Sequence, residues 1–193
     1  MAIIKEENDF PIVEYQLLPG KPTIKFKTIN GAELPKYQSD LASGFDVTAN
    51  SILAVYHSNK KLDDEKIMHC NNYFNENNSI NIYSNERILF GTGLILEDIP
   101  PYLEIQVRPR SGLTLKTGLI VANSPGTIDS DFRGHCGIII INTSGVVVKI
   151  DKNERIAQFI PSSVTSVNIA LSDEVSKTIT QRGDKGFGSS GKL

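Results

Sequence analysis

Short apolar segments broken by turn residues dominate this chain, and in one of them, Thr23–Ile29, apolar and polar positions alternate, as expected of a strand with one wet face. Arg87–Leu96 and Tyr102–Val107 form two further strands around the turn Asp98-Ile99-Pro100-Pro101. Positions 137–142, 146–150 and 155–160 make three more, and 167–171 a last one. Helix is expected only briefly after Pro109, in Arg110-Ser111-Gly112-Leu113-Thr114-Leu115-Lys116, where a hydroxyl and free amides would face an anion at the helix start. Many short strands punctuated by turns predict an all-β barrel or jelly roll.

Two interruptions of this pattern carry chemistry. Ala122–Gly134 sets Asn123, Asp129, Asp131 and Phe132 inside a turn punctuated by Gly and Pro. Apolar runs at 118–121 and 137–141 flank it, so it reads as a hairpin whose strands hold a polar tip rigidly. Turn acids often bond only their own backbone, so Asp129 needs support from elsewhere. Asp46 lies in the small-residue run Leu41–Ala49 and is a candidate for holding a cation or its water, although a plain turn role is open to it too. Residues from about 51 to 86 turn to charge and amide, with an Asn-rich stretch at 71–78. They read as a polar excursion able to hold a short hairpin or helix, because Ile80, Ile82 and Tyr83 can pack.

Composition narrows the partners. The 193 residues suit one well-buried domain, with 1–20 as a lead-in ending at Pro19-Gly20. A formal net charge of −2 provides no basic field for a nucleic-acid polymer, so stable nucleic-acid binding is not expected and a nucleotide fits better. The early charges of Lys5, Glu6 and Glu7 leave no room for a signal peptide, and no run reaches transmembrane length, so an intracellular protein without membrane contact is expected. Cys70 and Cys136 are too few for a disulfide framework, and the His69-Cys70 and His135-Cys136 pairs lack zinc-site spacing.

Five segments in order, Ala42–Asp46, Pro109–Leu113, Gly126–Gly134, Glu154–Gln158 and Arg182–Gly191, resemble the five motifs of the trimeric dUTPases. The resemblance runs from about Thr23 to Gly191. It implies a jelly-roll subunit, a homotrimer with sites at subunit boundaries, and Mg²⁺-dependent hydrolysis of dUTP to dUMP and pyrophosphate. It further implies that Asp129 orients and deprotonates the attacking water, and that Asp46 holds Mg²⁺ through coordinated water, as suits an ion reluctant to lose its hydration. Arg110, Ser111 and Gly112 resemble the phosphate-binding segment, and Gln158 the glutamine near the α-phosphate. Asn123, with backbone around Gly126, Thr127, Ile128 and Gly137, resembles the uracil-reading hairpin, and Phe132 the ring beneath the deoxyribose. Arg182 and Phe187 resemble the tail residues that clamp the γ-phosphate and stack on the base. With Gly188 and Ser189, the tail over 182–193 is expected to close as a flexible lid.

Three departures accompany the resemblance. Position 132 is Phe where many relatives carry Tyr, Lys185 replaces a common Gly, and the spacing from Asp46 to Arg110 is long. That spacing sets the 51–86 insertion outside the motifs, with any partner of its own unknown. A dCTP deaminase of the same fold is an alternative, but the third segment offers Asp129 and Asp131 and no glutamate for proton transfer. A dUTP-responsive regulatory protein acting through the insertion is another.

Overall fold

The computed structural model describes residues 20–57 and 59–172. Most of the expected lead-in, and the tail carrying Arg182, Phe187, Gly188 and Ser189, lie outside the described residues. Fourteen elements follow in order: β1 (Lys25–Thr28), β2 (Phe45–Thr48), β3 (Ser51–His57), β4 (Lys60–Lys61), α1 (Asp64–Asn77), β5 (Ser79–Ile82), β6 (Arg87–Asp98), β7 (Leu103–Pro109), α2 (Ser111–Thr117), β8 (Leu119–Val121), β9 (Gly126–Ile128), β10 (His135–Asn142), β11 (Val148–Asp151) and β12 (Arg155–Ser163). They form a six-stranded sheet (β4-β3-β6-β10-β8, with β1 also on β6), a four-stranded sheet (β2-β12-β7-β9) and the small ladder β5-β11.

Alternation explains the core. Along β10 every second residue is buried, so Cys136, Ile138, Ile140 and Asn142 face inward. Leu103, Ile105 and Val107 of β7 do the same in the other sheet, and both sheets contribute to one hydrophobic cluster with Phe45, Phe90, Leu96 and Phe159. The longest strand, β6, is paired on one edge with β10 and on the other first with β3 (opposite 87–91) and then with β1 (opposite 94–98). Gly93, with φ +74, sits at the changeover, where a left-handed residue lets the strand bend from one partner to the next.

The polar excursion expected over 51–86 does hold a helix, but its two ends and that helix pack into the core. Ser51–His57 is a core strand, and Ala54 and Val55 are buried. The Asn-rich stretch is an amphipathic helix: Asp63 caps α1 by accepting from the Lys66 amide, acids occupy its first turn, and Asn78 ends it in the left-handed conformation. Ile67 and Phe74 turn inward, and the Phe74 ring meets Phe90 with centroids 6.0 Å apart. Asn71 Oδ1 accepts from the Ile52 amide at 2.9 Å, tying helix to strand. A helix is one of the two forms expected for this stretch, although only Ile67 and Phe74, seven positions apart, are buried along it.

Two other expectations change. No strand forms over 167–171, where Val167, Ile169 and Leu171 stand exposed. The stretch after Val121 is not a simple hairpin. β8 pairs with β10 (Val121 opposite Ile140), but β9 crosses to the other sheet and pairs with β7 (Gly126 opposite Val107).

Candidate active site

At one end of the four-stranded sheet, Asp46, Gln158 and Arg108 form a single row across β2, β12 and β7. The Asp46 side chain is 5% exposed and its two oxygens take different guanidinium groups: Arg110 Nε at 3.3 Å from Oδ1 and Arg155 Nη1 at 3.0 Å from Oδ2. Arg110 Nη1 also donates to the main-chain carbonyl of Arg155 at 2.8 Å. A carboxylate this buried is expected to have such partners, since an unpaired charge out of water is costly. Arg155 belongs to the Glu154–Gln158 segment, and its pairing to Asp46 has no signal in the sequence beyond a cation heading the apolar Ile156-Ala157 pair.

Arg110 occupies the N-cap of α2 with extended backbone, so Ser111 and Gly112 form the exposed first turn of that helix. A Cβ placed on Gly112 would meet no atom of the described residues within 4 Å, so the space beside it is open. The other site glycines face internal constraints. A Cβ on Gly126 would come within 3.0 Å of Asn123 Nδ2 and 3.2 Å of Val107 Cβ, and one on Gly137 within 2.8 Å of Leu89 Cδ1.

Asp129 follows β9 and is exposed, and its carbonyl accepts from the Phe132 amide at 3.1 Å, closing a turn. The Phe132 ring is 40% exposed and lies over Gly134, where a Cβ would approach the ring Cζ to 2.7 Å. Asn123 and Thr127 are exposed while Gly126 and Ile128 are buried, so backbone and carboxamide edge this loop together. Asp46 also lines a groove shared with Glu33, Lys36, Thr48, Asn153 and Arg155.

These groups do not all meet within one chain. Ile128 pairs with Ile105, so Asp129 continues towards Glu104, whereas Arg110 lies beyond the opposite end of β7. Four positions along the strands and three strand spacings across them separate Asp129 from Asp46, or ~20 Å at usual sheet dimensions.

As for metal, no group of three or more His, Cys, Asp or Glu residues suited to an ion occurs among the described residues. A single carboxylate flanked by two guanidinium groups does not make a cage for a bare cation. It does fit a hydrated ion that arrives already neutralised by phosphate oxygens, which is how Mg²⁺ is commonly held.

An all-β fold that sets Arg110 at a helix start and Arg155 at the head of a strand, both against the Asp46 carboxylate, offers the kind of cationic cluster that meets phosphate groups. The dUTPase family model matches residues 74–191, and the chain belongs to that family. It is 38% identical over 172 residues to a deoxyuridine 5'-triphosphate nucleotidohydrolase of Fusobacterium nucleatum, covering 89% of this chain and 99% of the relative. Among solved structures, a mutant dUTPase of Staphylococcus bacteriophage 80alpha with dUpNHpp superposes with TM-score 0.65 at 20% identity, covering 88% of this chain and 99% of that one. A mutant dUTPase from phage phi11 of S. aureus, solved with details of the coordination of a structural Mg(II) ion, superposes with TM-score 0.58 at 16% identity over 79% and 97% of the two chains. The shared architecture is the all-β, jelly-roll-like dUTPase fold. No helix among the described residues is long and apolar enough to cross a membrane.

Proposed function

We propose that Asp129, Gln158, Arg110 and Asp46 carry out, in this chain, the hydrolysis of dUTP to dUMP and pyrophosphate that defines its family. A phosphoanhydride already has a good leaving group, so the protein has mainly to position water and offset charge. Asp129 accepts the proton of a water that attacks the α-phosphorus in line. The new bond forms from the water oxygen, the bond to the bridging oxygen breaks, and pyrophosphate departs. Gln158 holds that water, while Arg110, the Ser111 hydroxyl and the amides at Gly112 take the phosphate oxygens. The open space over Gly112 supports this, because it leaves room for a phosphate to approach the main chain closely. Mg²⁺, when bound with the triphosphate, offsets charge on its oxygens, and Asp46 would hold it through water.

Asn123 and the backbone of Gly126, Thr127, Ile128 and Gly137 read the uracil edge. A donor placed against a uracil carbonyl rejects the cytosine amine. Phe132 packs under the deoxyribose and leaves no room for a 2′-hydroxyl. From the tail, Arg182 takes the γ-phosphate, Phe187 stacks on the base, and Gly188 and Ser189 bring amides to the phosphates. Such a substrate is an intracellular metabolite, in keeping with an intracellular protein.

The observation that carries this reading furthest is the separation of Asp129 from the Asp46–Gln158 row. General-base chemistry needs hydrogen-bond reach, so a separation of ~20 Å within the chain supports a site whose two halves come from different subunits. A homotrimer supplies them, and the exposed apolar run of Val164, Val167, Ile169 and Leu171 offers surface for such contacts. Two experiments test the reading. Pyrophosphate release in the presence of Mg²⁺ should be fast with dUTP and negligible with dCTP, UTP and dTTP; comparable rates with any of these overturn the assigned pocket. An Asp129→Asn protein mixed with one truncated after Gln181 should regain activity as subunits exchange. Verified mixed trimers without rescue overturn the shared site.

A further inference from the structure

Asp46 presents an electrostatic difficulty for its expected role. A carboxylate that is to hold a hydrated cation is instead held by two cations of the protein itself, Arg110 and Arg155. One negative and two positive groups leave the cluster net positive, and Asp46 is too buried for water to screen the pairs strongly. Free divalent metal is therefore repelled, whereas a metal–triphosphate complex, which keeps a net negative charge, is attracted.

The two arginines differ in how they are held. Arg110 bonds Asp46 and also the Arg155 carbonyl, and its position at the head of α2 lets it turn towards phosphate. Arg155 reaches Asp46 from β12, where it pairs with Thr48 of β2 beside a bulge. Its side chain is 47% exposed and lines the groove that Asp46 shares, and its backbone carbonyl anchors Arg110. Arg155 thus touches both residues assigned to metal and phosphate while being assigned to neither.

We propose that Arg155 is a positioning residue of the hydrolysis: it occupies the Asp46 carboxylate until substrate arrives, so that metal enters this site only together with the triphosphate. When the triphosphate reaches Arg110, its added negative charge makes the metal's water a competitive partner for Asp46 Oδ2, and Arg155 gives up that oxygen. The inference rests on the reading of Asp46 as the acid that holds the metal through water.

The test uses the full-length protein and Mn²⁺ as a paramagnetic probe, titrated by electron paramagnetic resonance with and without a non-hydrolysable α,β-imido analogue of dUTP. Wild type should bind Mn²⁺ at this site only with the analogue present. Arg155→Met, which keeps the aliphatic stem, should bind Mn²⁺ alone at least about tenfold more tightly than wild type, the scale set by losing one charge-assisted hydrogen bond to Asp46. Arg155→Lys, which keeps the charge, should stay close to wild type. With dUTP, Arg155→Met should also raise KM more than it lowers kcat, because a pre-set arrangement is lost rather than a reacting group. Should Arg155→Met not fold, Arg155→Gln replaces it in the same titration. Unchanged Mn²⁺ binding by the neutral variant in the absence of nucleotide overturns the inference. If wild type binds no Mn²⁺ with the analogue, or binds it equally after Asp46→Asn, the assignment of Asp46 fails instead.

Discussion

Gln158 of β12 lies directly opposite Asp46 of β2 in the antiparallel ladder, and on its other side opposite Arg108 of β7. One register therefore fixes the spacing between the glutamine assigned to the attacking water and the acid assigned to the metal's water. Replacing Gln158 with Leu keeps strand and volume but removes the amide. Turnover should fall by about a hundredfold, the usual scale for one donor aimed at developing charge, with KM little changed. Steady-state kinetics beside a melting curve checks this, and a fall in stability without a fall in kcat would remove Gln158 from the chemistry.

Asp129 is exposed on a turn closed by its own carbonyl and the Phe132 amide, so its carboxylate is not needed to hold that turn. Asp129→Asn should therefore fold normally and bind the imido analogue as wild type does. Turnover should drop roughly 10²–10⁴-fold, the range for losing a general base. Calorimetric titration and pyrophosphate release measure the two halves of this expectation separately.

Sugar selection should depend on where the Phe132 ring rests. Phe132→Ala removes the ring, and relative hydrolysis of UTP over dUTP should rise. Gly134→Ala places a methyl group 2.7 Å from the Phe132 Cζ and displaces the ring without deleting it. It should loosen sugar discrimination in the same direction but by less. An unchanged dUTP to UTP ratio in both variants would move the selection elsewhere.

Removing residues 54–83 should abolish folding, because Ala54, Val55, Phe74 and Ile82 are buried and β5 pairs with β11. A milder probe is Phe74→Ala. Truncating a fully buried ring beside Phe90 should cost about 3–5 kcal/mol and lower the melting temperature by about 10 °C. Differential scanning calorimetry distinguishes this from a solvated excursion, in which either change would be nearly silent.

His135 should make stability depend on pH. Burial lowers its pKa below the usual 6.5, and its Nε2 accepts from the Gly93 amide at 2.8 Å, which requires the neutral ring. The unfolded chain therefore takes up the proton first as pH falls. The stability His135 contributes is present above pH 6.5 and is lost as pH falls through its lowered folded value. Urea midpoints compared between roughly pH 7.5 and 5.5 should fall less in His135→Gln, whose amide oxygen can still accept from Gly93.

The sequence by itself determined the β class and the chemistry-bearing segments. Alternation along Thr23–Ile29 follows from the two-residue period of a strand, the apolar runs within Arg87–Leu96 suit a strand buried on both faces, and the polar segments sit where glycine or a turn interrupts such runs. The Asn123–Gly134 loop was legible for this reason, as was the short helix after Arg110. What the sequence could not show was pairing at a distance. β9 leaves its flanking strands for the other sheet because β7 offers it an open edge, a choice made by the whole sheet rather than by residues 126–128. The helix over 64–77 depends on Phe74 finding Phe90, and its own surface composition conceals that contact. Asp46 and Arg155 stand 109 positions apart and meet through the β2–β12 register. Charge pairing of that kind depends on burial and distance, which the tertiary structure alone sets.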